Sequence, residues 1–309
     1  MLQYSWVRLV KKVLYFIVIL IIFSLTLEYK EEILVYYNKY LSNTKQVPTT
    51  LIKNDYYRNY NFKYVSNTDN FIPKNKQDIL NIYYTIINSG MDNFTFYCPI
   101  EYETCIDDVK DIANNQVIIS NINNFVHPYN GFKDLETEID TLGKINLNIN
   151  RNYTDEMQII LEYKVNEIIK NNITDDMTQE EKIKTIHDYI INNTKYDEDR
   201  SDKNILKYKS DTAYGALIEG YALCGGYTDS MMLFLEKFDI KNYKISSSNH
   251  VWNYVYLDNG WYNLDLTWDD PIRKNGKDLL EHTFFLVTSE EMLEIDKTEH
   301  TYDKNVYQE

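Results

Sequence analysis

The sequence predicts an α+β body behind a single apolar N-terminal helix, and three observations carry that expectation. Two segments near the middle of the chain, 154–169 and 178–190, show apolar residues at helical spacing behind N-capping threonines. Residues 250–268 form two alternating runs around Asp258-Asn259-Gly260, and residues 13–27 hold no charge. A period of 3.6 marks a helix with one buried face, a period of 2 marks a half-buried strand, and a long uncharged run marks a membrane or secretory segment.

In chain order, Arg8, Lys11 and Lys12 precede the uncharged run VLYFIVILIIFSLTL, and Glu28, Glu31 and Glu32 follow it. At ~1.5 Å per residue this run reaches about 22 Å, less than a hydrocarbon core of ~30 Å, so its neighbours must complete the span at the interfaces. Lys and Arg favour the cytoplasmic flank. That rule makes residues 1–12 a cytoplasmic n-region and residues 13–30 a transmembrane signal-anchor, with the remainder extracytoplasmic. Only Ser24 and Thr26 imitate a small-x-small cleavage pattern, so an uncleaved single-pass anchor is expected, with secretion after cleavage as the rival. Residues 31–50 read as a charged, Tyr-rich stalk ending at Pro48-Thr49-Thr50.

Residues 51–150 read as a smaller N-terminal α/β region without chemistry of its own. It carries expected helices at 76–88 and 106–113 and a strand at 93–97. A second strand is expected at 144–149, where Ile145, Leu147 and Ile149 alternate with polar residues. His127, within Val126-His127-Pro128-Tyr129-Asn130-Gly131, reads as a surface or turn histidine. In the region 151–309, Thr154 caps a helix bearing Met157, Ile160, Leu161, Val165, Ile168 and Ile169. Thr178 and Glu181 form a capping box ahead of Ile183, Ile186, Tyr189 and Ile190. His187, beside that stripe, reads as a satisfied, partly buried residue.

Composition narrows the function. Hydrophobic residues at 44% and aromatics at 15%, with 29 tyrosines, suit a packed core rather than a disordered chain. A net charge of −15 without a basic stripe excludes nucleic-acid binding, and it leaves residues 13–27 as the only route to a membrane. The three cysteines lack paired C-x-x-C spacing, so neither zinc nor any other metal or cofactor is expected. Cys98 and Cys105 are the close pair, suited to one bridge in an exported protein; two unpaired structural cysteines are the alternative.

The third cysteine carries the chemistry. Gly220 interrupts a short helical run at 212–218, and a new helix then buries Tyr227, Met231, Phe234, Leu235 and Phe238. Cys224 therefore stands at a helix N-terminus, where unpaired amides favour thiolate over thiol. Gly225 and Gly226 cost ~1 kcal/mol each in a first turn relative to alanine, which points to a close approach there, substrate included. A lone cysteine on an apolar helix is more often structural, so a nucleophile needs a base.

That base lies 26 residues on, in the hairpin signal. His250, Trp252 and Tyr254 share one strand face, and Trp261, Asn263, Asp265 and Thr267 share the matching face of the return strand. A turn centred on Asp258-Asn259 sets Trp252 opposite Asp265 and makes His250 its diagonal neighbour at ~7 to 8 Å, within side-chain reach. A turn centred on Asn259-Gly260 puts His250 four residues out of step. The first register is expected, with Gly260 absorbing an irregularity. An aspartate on a buried face among aromatics demands a partner.

Gly220-x-x-x-Cys224-x-Gly226-Tyr227, His250-x-Trp252-Asn253 and Trp261-Tyr262-x-x-Asp265-x-Thr267-Trp268-Asp269-Asp270-Pro271 together resemble the bacterial transglutaminase-like superfamily. The resemblance extends to Ile186-His187-Asp188-Tyr189, Lys195-Tyr196-Asp197 and His282-Thr283-Phe284-Phe285-Leu286, and so spans roughly residues 150–309. It implies a papain-like core, a Cys-bearing helix packed on an antiparallel sheet, in which Cys224 is the nucleophile, His250 the general base and later acid, and Asp265 the group that orients the imidazole. The implied reaction is acyl transfer from a protein or peptide carbonyl through a thioester, as peptidase, amidase or transglutaminase. The family places a larger polar residue after the cysteine, so Gly225 leaves the backbone amides of Cys224 and Gly225 as oxyanion donors. Gly226, Tyr227 and Trp252 are further candidates for the substrate cleft, although Trp252, Trp261 and Trp268 also suit hairpin packing. The Asp269-Asp270-Pro271 corner reads as a turn after the strand. The alternative to an enzyme, favoured by Gly225, is a cell-surface binding or scaffolding module of the same fold with weak or no turnover.

Overall fold

The computed structural model describes residues 2–44, 51–140, 143–271 and 279–307; side chains are described from Val10, and in the second helix as far as Tyr37. The expected stalk end at Pro48-Thr49-Thr50 lies outside the described residues. The uncharged run sits inside helix α1 (Leu2–Glu28), of which the 19 residues Val10–Glu28 are long and apolar enough to cross a membrane. At ~1.5 Å per residue these reach about 28 Å, so the flanks supply the length that the uncharged run lacks. Large apolar side chains such as Phe16, Ile19 and Phe23 are exposed on this helix, at 60% or more. The expected stalk is itself helical as α2 (Lys30–Thr44); the Ile33 N–H bonds to the Tyr29 carbonyl, so the helical path continues across the junction.

The body opens with α3 (Lys76–Ser89), capped by the Asn75 side chain and closed by Gly90 at φ 79°. Next come β1 (Asn93–Tyr97), α4 (Cys105–Asn114), α5 (Gln116–Asn123), β2 (Phe132–Ile139) and β3 (Lys144–Arg151), the strands pairing antiparallel in the order β1-β3-β2. The expected strands and helices of this region are all present. Helix α5 and strand β2 are additions; β2 reads Phe-Lys-Asp-Leu-Glu-Thr-Glu-Ile, and its charged residues suit the sheet edge it occupies. Cys98 and Cys105 form a disulfide joining the end of β1 to the start of α4, and Cys224 is the free cysteine.

The remaining elements are α6 (Asp155–Asn172), α7 (Gln179–Asn193), β4 (Lys195–Tyr196), α8 (Glu198–Lys203), β5 (Tyr221–Ala222), α9 (Cys224–Lys237), β6 (Asn242–Ser246), β7 (Val251–Leu257), β8 (Gly260–Leu264) and α10 (Ser289–Ile295). Thr154 caps α6, and the Thr178–Glu181 capping box opens α7, as their spacing predicts. The expected helical run at 212–218 is a single wide turn, Gly215–Glu219, ended by Gly220 at φ 75°. Strands β6, β7 and β8 form a second antiparallel sheet.

This sheet is buried on both faces because alternate residues of β7 enter different cores. Val255 and Leu257 join Leu161, Ile186, Met231 and Phe234 from α6, α7 and α9. Trp252, with Tyr243 and Ile245 of β6, joins Phe62, Tyr84, Phe125 and Ile145 from the N-terminal region. The apolar core therefore does not divide at residue 150, where the sequence suggests a boundary. Arg58 pins the two parts together: its side chain is 1% exposed, with Nη1 on the carbonyls of Phe125 (3.2 Å) and Asn242 (3.1 Å) and Nη2 on Glu236 (2.5 Å). Removing one partner from such a buried ion pair leaves an uncompensated charge. Arg58→Leu is expected to lower the unfolding free energy by about 3 to 5 kcal/mol in urea titration. Residues 51–307 are expected to unfold in one transition, and separate transitions for the two parts would contradict the shared core.

Candidate active site

The start of α9 is fixed by the loop that passes over it. The Leu223 N–H bonds to the Ser210 carbonyl at 2.8 Å. A Cβ on Gly226 would lie 2.3 Å from the Ser210 oxygen, and one on Gly225 would lie 3.1 Å from the Asp211 oxygen. The close approach predicted from the two glycines is thus to the chain's own loop at 210–212, and Gly226 is buried rather than cleft-lining. Gly226 and Tyr227 N–H groups reach the Leu223 carbonyl at 2.9 and 3.1 Å, which leaves the Cys224 and Gly225 amides ahead of the first intrahelical bond. Leu223 supplies no side-chain cap. The helix start therefore presents two donors beside a half-buried thiol.

Thr228, one turn on, sets the thiol against the sheet. Its hydroxyl lies 2.7 Å from the Cys224 carbonyl and 3.0 Å from the Val251 carbonyl, while Asn253 Nδ2 donates to the Thr228 carbonyl at 3.0 Å. The start of α9 is thereby tied to the start of β7, immediately after His250.

Hairpin register brings the third residue in. Asp258 and Asn259 adopt φ of 48° and 65°, the pair of positive values that a two-residue turn requires and that Asp and Asn tolerate best after glycine. Leu257 pairs with Gly260 and Asn253 with Leu264, so the next position sets Trp252 opposite Asp265, the register expected from the sequence. Gly260 is an ordinary paired strand residue, not an irregularity. His250 Nε2 meets Asp265 Oδ2 at 2.5 Å, and the imidazole lines the same cleft as the Cys224 thiol, which adds to the forces that favour its charged form. With Nε2 on the carboxylate, Nδ1 is the nitrogen left for sulfur.

Asp265 is 1% exposed and satisfied on both oxygens. Oδ1 accepts the Thr267 and Trp268 N–H groups at 2.9 and 3.3 Å, and Oδ2 accepts from His250 and from His300 Nε2 at 2.9 Å. His300 was not legible as a site residue: 35 positions separate it from Asp265, and no local pattern surrounds it. Burial works against charge on both Asp265 and His250. Their mutual attraction prevails, holding Asp265 well below the usual carboxylate range and pushing His250 up to about 10.

A cleft of about 450 Å³ opens over the thiol, lined by Tyr196, Cys224, His250, Thr267, Trp268 and Glu299 among others. Two expected cleft residues lie elsewhere. Tyr227 is 1% exposed and donates its hydroxyl to Asp270, while Trp252 is fully buried with Nε1 on Asn263 Oδ1 at 2.9 Å. Both point into cores, as residues on the inner faces of α9 and the sheet must; Trp268 is the tryptophan that reaches the cleft. His187 lies away from it, buried, with Nδ1 on Asp188 (2.9 Å) and Nε2 on Asp269 (3.1 Å), so it braces the Asp269-Asp270-Pro271 corner against α7. His127 is a turn residue as expected but is buried, its Nδ1 accepting the Tyr129 N–H at 3.1 Å. Two groups, His250-Asp265-His300 and His187-Asp188-His282, have ligand atoms within 4.8 Å of one another, and in each the atoms are hydrogen-bonded together.

The charge pair makes stability depend on pH with a definite sign. The raised histidine contributes stability that is complete below its ordinary value of 6.5 and is lost as pH rises through about 10. The depressed carboxylate contributes stability present above 3.8 and lost as pH falls below it. Nitrogen NMR of His250 is expected to show imidazolium through neutral pH with a midpoint near 10; a midpoint near 6.5 would contradict the pairing.

Residues 166–266 match the family described as the Transglutaminase-like superfamily. No curated protein sequence matches the chain. Among solved structures, a TGase is similar at 16% identity over 44% of each chain with a TM-score of 0.34. A proposed cysteine protease from Cytophaga hutchinsonii is similar at 12% identity, covering 50% of this chain and 69% of that one, with a TM-score of 0.28. The chain thus spans 44% of the length of the first. Residues 166–266, which include Cys224, His250 and Asp265, form a transglutaminase-like domain.

Proposed function

We propose that this chain is a membrane-anchored, extracytoplasmic thiol acyl-transfer enzyme acting on protein or peptide carbonyls, with hydrolysis as its main outcome. The observation that carries the reading is that Cys224 and His250 line one cleft, with His250 Nε2 on Asp265 Oδ2 at 2.5 Å. Sulfur attacks the carbonyl carbon, and the displaced electron pair collects on oxygen beside the Cys224 and Gly225 amides. Collapse breaks the C–N bond, and the departing amine takes its proton from His250. Water then attacks the thioester and surrenders one proton to His250; the C–S bond breaks, which releases the acid and returns Cys224 as thiolate beside the imidazolium. Asp265 holds the imidazole in one orientation throughout. Among the described residues, nothing that lines the cleft marks a second amine site, which favours water as acceptor.

Gly225 does not argue against turnover. A side chain there would crowd the Asp211 carbonyl, so glycine follows from the path of the loop at 210–212. Location rests on three supports. Val10–Glu28 is long and apolar enough to span, Lys and Arg precede it while Glu follows it, and a disulfide between Cys98 and Cys105 suits an oxidising compartment. The acyl-transfer unit on this reading comprises residues 151–309 together with the N-terminal region that shares its core.

With the other two cysteines bridged, iodoacetamide reports on Cys224 alone. At neutral pH the thiol is expected to react about tenfold or more faster than a free model thiol, and His250→Ala should remove the excess. Reaction at the model rate, unchanged by His250→Ala, would end the activated-nucleophile reading.

A further inference from the structure

Asp265 carries two histidines, and the second has no part in the reaction as written. His300 is fully buried in an aromatic box: its ring stacks on Phe284 at 5.0 Å and meets Trp252 and Trp268 edge-on at 5.0 Å each. Packing alone would be met by phenylalanine. Burying an imidazole costs free energy unless its nitrogens are used, and here both are. Nε2 is 2.9 Å from Asp265 Oδ2 and Nδ1 is 2.9 Å from Asp296 Oδ2. Asp296 is fixed in turn, since its oxygens accept the N–H groups of Thr298 (3.2 Å) and Glu299 (2.8 Å) just beyond α10.

The geometry at Oδ2 gives this chain of contacts a task. His250 and His300 share that oxygen, with their rings at 87° and centroids 5.4 Å apart. Oδ1 is held by its own loop through two amides, the longer at 3.3 Å, which leaves Oδ2 to be aimed by whatever else donates to it. We propose that His300, anchored by Asp296, is a positioning residue that aims the Asp265 carboxylate at His250. The proposal rests on the assignment of Cys224, His250 and Asp265 given above. It makes the segment 296–300 part of the site, and Glu299 in that segment already lines the cleft.

Three variants of the full chain in detergent test it: His300→Phe, which keeps an aromatic ring; His300→Gln, whose amide can place an N–H near the former Nε2; and Asp296→Asn, which leaves His300 in place. Two readouts are taken: the iodoacetamide rate of Cys224 at pH 7, and the far-downfield proton signal of the His250 Nε2–H in its bond to Asp265. His300→Phe is expected to slow alkylation about tenfold and move the proton signal upfield, the loss of one hydrogen bond to a charged group. His300→Gln should restore most of both, and Asp296→Asn should fall between. The proposal is overturned if His300→Phe melts like the wild type and leaves both readouts unchanged, or if His300→Gln is as impaired as His300→Phe. Should His300→Phe fail to fold, Asp296→Asn decides, and wild-type values in it overturn the proposal. A wild-type thiol no faster than a model thiol would instead sink the acyl-transfer reading, and the proton signal would still judge His300.

Discussion

A buried carboxylate is the constraint on which the rest of the site depends. Asp265 is 1% exposed, and a charge so placed is tolerated only where donors replace the water it has lost. Its donors come from three places in the sequence: the loop immediately after β8, His250 before β7, and His300 beyond α10. Satisfying one side chain therefore requires the hairpin register, the reversal at Asp269-Asp270-Pro271 and the docking of the C-terminal segment to be right together. The imidazole that Asp265 holds is the one that shares the cleft with the Cys224 thiol.

Dryness is supplied from the other side of the sheet. Trp252 lies between the hairpin and the N-terminal region, sharing a core with Phe62, Tyr84 and Phe125. Residues of that region share the core that Trp252, Tyr243 and Ile245 enter on this face of the sheet. The opposite face of the same sheet is covered by α6, α7 and α9. The thiol thus stands at the start of a helix on one face, while Trp252, Trp268 and His300 pack around the pair that orients the base.

What was legible in the sequence was local. Thr154 and the Thr178–Glu181 box announce their helices because a cap is a contact between neighbours. Cys224 at a helix start and the register of the hairpin were readable for the same reason: both follow from a few adjacent residues, and Asp258-Asn259 takes the turn in the way that puts His250 diagonal to Asp265. Where the reading failed, the deciding contact was tertiary. Gly225 and Gly226 make room for the loop at 210–212 rather than for substrate, Tyr227 and Trp252 face cores that only the assembled layers define, and β2 conceals an edge strand under charged residues. His300 had no local signal at all, and the core shared across residue 150 could not be seen from either half alone.

The measurement that bears most directly on this account is the titration of His250 in Asp265→Asn, a substitution that keeps the side chain's size and removes its charge. If the carboxylate is what chiefly holds the imidazole charged, the midpoint should fall from about 10 toward the ordinary histidine range near 6.5, because burial is then opposed by Cys224 without Asp265. A midpoint that stays in the alkaline range in Asp265→Asn would contradict the central role given to Asp265.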